Sequence, residues 1–309
     1  LHLLYSRFFT KAIKVCNKKL SFSEPFKNLF TQGMVCHESY KDNNGNWLYP
    51  DEIEKIDNNT VIKKTDKTKV IVGPAESMSK SKKNTIDPEV MIKQYGADAV
   101  RWFILSDSPP EKDIQWSNVG VFSANKFLQK IWNLNYSILN KKDNGNRKKD
   151  EPIFKSKLND LMIKIDNSIN DFKFNVAIAH FYEIYKIFKD NLDKEISNEC
   201  FREYIINIMK LLIPFTPHLA YECLEKFECK SLNSWPKVDK NNRLENIKIA
   251  VQINGKTRDI ITIKRNLAEK EVTDYILKYS KANKYINSKK VLKTIFVKDK
   301  IINYIVQNQ

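Results

Sequence analysis

Met78-Ser79-Lys80-Ser81-Lys82-Lys83-Asn84 is a run of hydroxyls, lysines and one amide with no large apolar side chain after Met78. It follows Val70-Ile-Val-Gly73, which reads as a buried strand, and it precedes Asp87-Pro88. Asp87 is suited to the N-cap and Pro88 to the first helical position, so the spacing predicts a helix through Glu89 to Tyr95. Two readings fit the run itself. It is either a solvated surface stretch, or a loop that closes lysine ammoniums and serine hydroxyls over a polyphosphate, with Lys80 as the leading candidate.

Outward from this run the periodicities change in a fixed order. Residues 1–18 carry Leu3, Leu4, Phe8 and Ile13 as the apolar stripe of one amphipathic helix. The first residue is Leu1 and not Met, and the helical pattern is already running there with no capping residue before the stripe, so the chain reads as the carboxy-terminal part of something longer. His2 lies beside that stripe, where a lone histidine is ordinarily a packed core residue. Glu24 to Phe30 is expected to form a short helix and Gly33 to Tyr40 a strand. A turn is expected at Lys41 to Asn46, then short strands up to Val72. Past the lysine run, Gly96 stops one helix, Ala97 to Leu105 forms another, and Pro109-Pro110 ends it. A long helix is expected from Ser117 to Asn140, a charged linker from Lys141 to Pro152, and helices over 154–169, 174–188, 195–213 and 217–227. Beyond Val238 the period falls to two. Ile247 to Ile253 and Arg258 to Ile263 flank Asn254-Gly255, a two-residue type I′ hairpin signal. A helix from Ala268 to Tyr279 and strands at 291–297 and 301–306 complete a small α+β unit. Lys256, Arg258, Lys264 and Arg265 are expected at its exposed positions.

The 309 residues carry a net charge of +16. An anionic partner such as nucleic acid accounts for this, and so does a Lys-, Asn- and Ile-rich compositional bias of the source genome. The five cysteines include no Cys-x-x-Cys pair and the four histidines are scattered, which supports neither a disulfide framework nor a zinc site. No apolar run approaches the ~20 residues of a membrane span, and no signal-peptide pattern is present. A reducing cytoplasm fits best.

Several stretches, in this order, resemble class I aminoacyl-tRNA synthetases, and among them the leucyl-tRNA synthetase family of bacterial type. They are His2-Leu-Leu-Tyr-Ser-Arg-Phe-Phe9, Gln32-Gly-Met-Val35, Met78 to Asn84 with Asp87-Pro88, and Tyr95-Gly-Ala-Asp-Ala-Val-Arg101. Ala124-Asn-Lys-Phe-Leu128 with Trp132, Pro214-Phe-Thr-Pro-His218 and Val251-Gln-Ile-Asn-Gly-Lys256 continue the series. The resemblance implies a mixed architecture in three parts. Residues 1–114 would be the end of a Rossmann-like α/β catalytic domain, with a small β insertion at about 33–72 and the signature loop at 77–84. Residues 115–238 would be an all-α anticodon-binding helical bundle, and residues 245–309 a small α+β terminal domain that touches tRNA.

The same resemblance implies a ligase that activates leucine with ATP, Mg²⁺ accompanying the nucleotide, and transfers it to the terminal adenosine of tRNA(Leu). Lys80 would bind the phosphates as the α-phosphate is attacked. Met78 would pack the loop root, and Ser79 and Ser81 would donate hydrogen bonds. His2 would form a wall of the amino-acid pocket, and Lys256 and Arg258 would contact tRNA phosphates. One residue departs from the family pattern, because Ser77 stands where the first signature lysine belongs. Lys80 is therefore expected to carry more of the burden. A monomer is expected, with no membrane association and no protein-bound metal. The rivals are an isoleucyl-, valyl- or methionyl-tRNA synthetase, or a non-catalytic tRNA-binding module. No His-x-Gly-His signature, Rossmann-like first half or editing domain occurs in these residues. The polypeptide by itself is expected to bind tRNA weakly and to activate nothing.

Overall fold

The computed structural model describes residues 1–57, 60–142, 148–232, 234–236, 246–287 and 289–307. In chain order the elements begin with α1 (His2–Cys16), β1 (Val35–Lys41), β2 (Trp47–Leu48), β3 (Ile53–Lys55), β4 (Val61–Lys63) and β5 (Ile71–Ser77). They continue with α2 (Pro88–Tyr95), α3 (Ala97–Ser106), β6 (Ile114–Gln115) and α4 (Asn118–Leu139). Then come α5 (Glu151–Asn170), α6 (Phe174–Asn191), α7 (Asn198–Leu212), α8 (Pro217–Lys226), β7 (Asn246–Ile253) and β8 (Lys256–Lys264). α9 (Glu269–Tyr279), α10 (Asn283–Ile286), β9 (Val291–Val297) and β10 (Ile301–Val306) complete the chain. It divides into two compact units, Leu1–Lys130 with Ser168–Ala179 and Pro214–Leu219, and Ile131–Asn167 with His180–Ile213 and Ala220–Gln309.

In the first unit β1 is the organising strand. It pairs antiparallel with β5 along its length and with β2 at its end, and parallel with β6 at its start, where Val35 faces Ile114. Tyr40, Leu48, Ile53, Val61 and Val70 form a small apolar core between this sheet and the β3–β4 ribbon. Asp87 accepts from the Glu89 amide and Pro88 opens α2, while Gly96 ends it at a φ of 83° that a side chain would strain. Trp102 is fully buried against Phe127 at 5.4 Å and Phe215 at 6.3 Å between ring centroids. Such aromatic pairs stabilise a core beyond their area burial.

In the second unit Phe154 packs edge-on to Phe188, Phe201 and Tyr204, so the helix-period aromatics form a core. The sheet β8-β7-β10-β9 carries α9 and α10 over one face, burying Ile249, Val251, Ile261, Val272, Ile276 and Ile302 among others. Asn254 and Gly255 take φ of 48° and 77°, the left-handed pair that a type I′ turn requires. The Asn254 side chain also exchanges two hydrogen bonds with the Val306 backbone, at 3.2 and 2.9 Å, which pins the turn to the end of β10.

Several expectations fail. Glu24 to Phe30 is not helical. A single turn pays the full nucleation penalty, and here Glu24 is drawn away to Arg7 at 2.8 Å while Phe30 stacks on Phe172 at 4.9 Å. The strand before the lysine run does not stop near Val72, and it is not buried. β5 continues to Ser77 with exposed or half-buried residues throughout, because its ladder with β1 supplies the backbone partners without a covering layer. Ser77 is thus a strand residue facing Cys36, and the loop proper starts at Met78. Arg265 is half-buried and bonded to Asp160 at 2.7 Å. β6 and α10 were not anticipated. The expected bundle end at Val238 and terminal-domain start at Glu245 lie outside the described residues.

Candidate functional site

The lysine loop leaves β5 at Met78, whose amide donates to the Val35 carbonyl of β1 at 3.3 Å. It then folds into a tight turn. The Lys83 amide donates to the Lys80 carbonyl at 3.3 Å, and Lys83 takes a φ of 53°. The Ser79 and Ser81 hydroxyls lie 3.2 Å apart, and the Lys82 amide donates to Ser79 Oγ at 3.3 Å. Both hydroxyls therefore shape the turn.

The three loop ammoniums differ in their surroundings. Lys82 pairs with Glu76 of β5, and that hydrogen bond is the leading cause holding the Glu76 carboxyl below its usual range. Lys83 sits 5.0 Å over the Tyr49 ring, a cation–π contact. Lys80 is exposed and lines a cleft of about 750 Å³ together with Tyr49, Asp51, Thr85, Asp87, Val90 and Asn118. Charge already neutralised by a carboxylate is less available to a ligand, so Lys82 is the least available of the three, and Lys80 is the loop lysine that lines this cleft. A neighbouring cleft of about 650 Å³ shares Pro50, Ile86 and Asn118 with it and adds His37, Glu38, Lys55 and Trp116. There Glu38 accepts from Lys55 at 2.6 Å and from Tyr40 Oη at 2.9 Å. Burial opposes ionisation of Glu38, and these two donors outweigh it. Burial is also the main reason that the His37 imidazole is pushed below its usual value.

Two of the sequence motifs meet at a second place in the same unit. Arg101 of α3 donates to the carbonyls of Pro214 at 2.6 Å and Phe215 at 3.0 Å. Asp98, one turn earlier, accepts from the Leu219 amide at 2.7 Å, from His218 Nδ1 at 2.9 Å and from the His218 amide at 3.4 Å. The carboxylate thereby satisfies orphan donors at the start of α8. Thr216, just before that helix, buries its hydroxyl without a hydrogen-bond partner, so the cap comes from α3 and not from the adjacent residue. These motif residues hold backbone; they do not converge on a cleft.

The other predicted residues lie elsewhere. His2 is exposed on the first turn of α1, whose Leu3, Leu4, Phe8 and Phe9 are exposed as well. Lys256 and Arg258 line an open cleft of about 730 Å³ beside Tyr285 and Lys289, with the Arg258 guanidinium 4.6 Å over the Tyr285 ring. Among the described residues no three His, Cys, Asp or Glu side chains converge as metal ligands. Sequence reasoning passed over Glu76, Tyr49 and Asn84, which shape the loop. An acidic residue two before Met78 was the available signal for Glu76; spacing offered none for the other two.

This arrangement has known counterparts. Residues 69–117, from the end of the β3–β4 region to β6, match the family described as tRNA synthetases class I (I, L, M and V). Residues 151–274 match the anticodon-binding domain of tRNA ligase. Over these two segments the chain is similar to class I aminoacyl-tRNA synthetases. The relatives it matches over nearly its whole length are leucine–tRNA ligases. That of Rickettsia canadensis is 40% identical over 99% of this chain and 37% of its own length. That of Azorhizobium caulinodans is 35% identical over 99% of this chain and 37% of its own. The crystal structure of an Agrobacterium radiobacter LeuRS–tRNA–LeuAMS ternary complex superposes on all of this chain and 36% of that one, with a TM-score of 0.67 at 26% identity. The chain thus spans a little over a third of the length of the relatives it matches.

Proposed function

We propose that this chain supplies the phosphate-closing loop and the tRNA-docking parts of a leucine–tRNA ligase. The reaction is formation of leucyl-adenylate from leucine and ATP, then leucyl transfer to the terminal adenosine of tRNA(Leu). The observation that carries this reading is the placement of Lys80 on the cleft while Lys82 and Lys83 are engaged by Glu76 and Tyr49. The ammonium meets negative charge that builds on the phosphates as pyrophosphate leaves. Catalysis of such a transfer rests on positioning and charge stabilisation. Mg²⁺ would accompany the ATP and supply further charge stabilisation at its phosphates. Met78, Ser79 and Ser81 give the loop its form, and Ser77 leaves the clamp with one lysine fewer than the family pattern.

The domain order follows the same reading. Residues 1–114 belong to the catalytic domain, the helices up to about 238 dock along the tRNA backbone, and residues 245–309 contact tRNA through Lys256 and Arg258. His2 becomes a wall of the leucine pocket only beside parts of the relatives' length that this chain does not span. The chain by itself is therefore proposed to form no adenylate.

The test is pyrophosphate exchange by the complete ligase polypeptide carrying this chain. Leucine is expected to support exchange, and isoleucine, valine and methionine to fail. Lys80→Ala is expected to lower the rate by about 10²- to 10³-fold, the range for loss of one preorganised charge-stabilising contact. Exchange unchanged by Lys80→Ala overturns the loop reading. Exchange supported best by another amino acid overturns the leucine assignment.

A further inference from the structure

Asn84 is fully buried at the foot of the lysine loop, although the residues before it are exposed or half-buried. Its Oδ1 accepts from the Ser79 amide at 2.8 Å. Its Nδ2 faces three carbonyls, those of His37 at 3.2 Å, Glu76 at 3.3 Å and Ser77 at 3.5 Å. His37 and Glu76 are cross-strand partners at the end of the β1–β5 ladder, so one side-chain amide ties two strand ends to the first residue of the turn after Met78. A buried amide satisfied on both its donor and acceptor sides is costly to disturb, since removing it strands a backbone N–H and carbonyls together.

We propose that Asn84 is a positioning residue for adenylate formation, acting through the loop backbone to keep Lys80 over the cleft. This rests on the reading of the loop as the ATP phosphate loop. Lys80 is one residue from Ser79 and four from Asn84, and the turn between them is closed by the Lys80 carbonyl and Lys83 amide. Asn84 therefore fixes both ends of the segment that carries the ammonium. The Lys82 and Lys83 amides bond only within the turn, and their side chains reach out of it through half-buried ends, so neither ties the turn to both strands as Asn84 does. A small displacement of a reacting group lowers rate steeply, so a loop released at its foot reaches the phosphates in fewer of its conformations.

Two measurements test this. In the complete ligase, Asn84→Ala is expected to lower kcat for pyrophosphate exchange about 10- to 100-fold, the range for loss of a buried hydrogen-bonded amide. KM for leucine and transfer from preformed leucyl-adenylate to tRNA are expected to stay at wild-type values. Asn84→Asp keeps an acceptor for Ser79 but sets a carboxylate against three carbonyl oxygens, and it is expected to do no better than alanine. Loss of the transfer step along with exchange would make Asn84 a merely structural residue and overturn the proposal. So would exchange within twofold of wild type where Lys80→Ala is severely impaired; that pattern spares the phosphate reading. If Lys80→Ala is also unimpaired, the loop reading itself has failed. On the present chain alone, trypsin cleavage after Lys80, Lys82 and Lys83 is expected to quicken about tenfold in Asn84→Ala, and unchanged cleavage refutes the staple without reference to ATP.

Discussion

Asp98→Ala should unseat the start of α8, and the size of the effect can be built from its contacts. The carboxylate is largely buried, with 11% of its side chain exposed, and its shortest bond is to the Leu219 amide at 2.7 Å. A hydrogen bond to a charged group contributes about 1.5–3 kcal/mol, and a negative charge at a helix N-terminus adds about 0.3–1 kcal/mol. The bond to His218 contributes little by comparison, because that side chain is 77% exposed and exposed pairs are worth about 0–1 kcal/mol. Removing the carboxylate should therefore cost about 3 kcal/mol, or roughly 150-fold in a local opening equilibrium. Asp98→Asn keeps an acceptor oxygen without the charge and should cost about 1 kcal/mol, while His218→Ala should cost about 0.5 kcal/mol or less. Hydrogen exchange of the amides in the first two turns of α8 reads this directly. A ranking in which His218→Ala matches Asp98→Ala, or protection in Asp98→Ala within threefold of wild type, would refute the assignment of Asp98 as the cap.

Burial pushes the Cys200 and Cys223 thiols up to about 12. Both should resist iodoacetamide at pH 8 in the folded chain, whereas the exposed Cys16 reacts, as peptide mapping will show. Burial opposes ionisation of Asp160, but Lys164 and Arg265 outweigh it and leave the carboxyl below its usual range. A depressed folded-state pKa contributes stability above the unfolded value near 4 and loses it as pH falls through the folded value. The difference in urea midpoint between wild type and Asp160→Asn should thus be full at pH 7 and shrink steadily below about pH 4. A Cβ at Gly33 would stand 2.1 Å from the Lys112 carbonyl oxygen. Gly33→Ala should therefore destabilise the β1–β6 region by about 2 kcal/mol, seen as a lower urea midpoint.

The elements legible in the sequence are those set by local signals. Asp87-Pro88 before α2, Gly96 after it and Asn254-Gly255 in the last hairpin each impose a backbone state on their own few residues, and each appears where expected. The long helices follow from a single apolar period that outlasts any local ambiguity, as in α4 with Val121, Phe127, Leu128 and Ile131 buried. What escaped reading depended on a distant partner. β5 runs on to Ser77 because β1 offers it a ladder, and Glu24 to Phe30 stays irregular because Arg7 and Phe172 compete for its side chains.

The site divides along the same line. By composition the short run of lysines and hydroxyls fits a solvated surface stretch as well as a phosphate loop, and it is the family resemblance that implies a phosphate role for Lys80. Which of three lysines remains available depends on Glu76 and Tyr49, and neither position marks itself as a lysine partner. The Tyr95–Arg101 and Pro214–His218 stretches stand out in the sequence only as carriers of the family resemblance. In space Asp98 and Arg101 are spent on amides and carbonyls around α8, more than a hundred residues away. Polar residues within these stretches can thus be required by a fold's joints, and burial identifies them here. Asp98 and Asn84 are buried and satisfied by backbone, whereas Lys80 is exposed and borders a cleft. A residue that must meet a ligand has to keep its charge in reach of solvent, and a residue that must hold a loop gives that reach up.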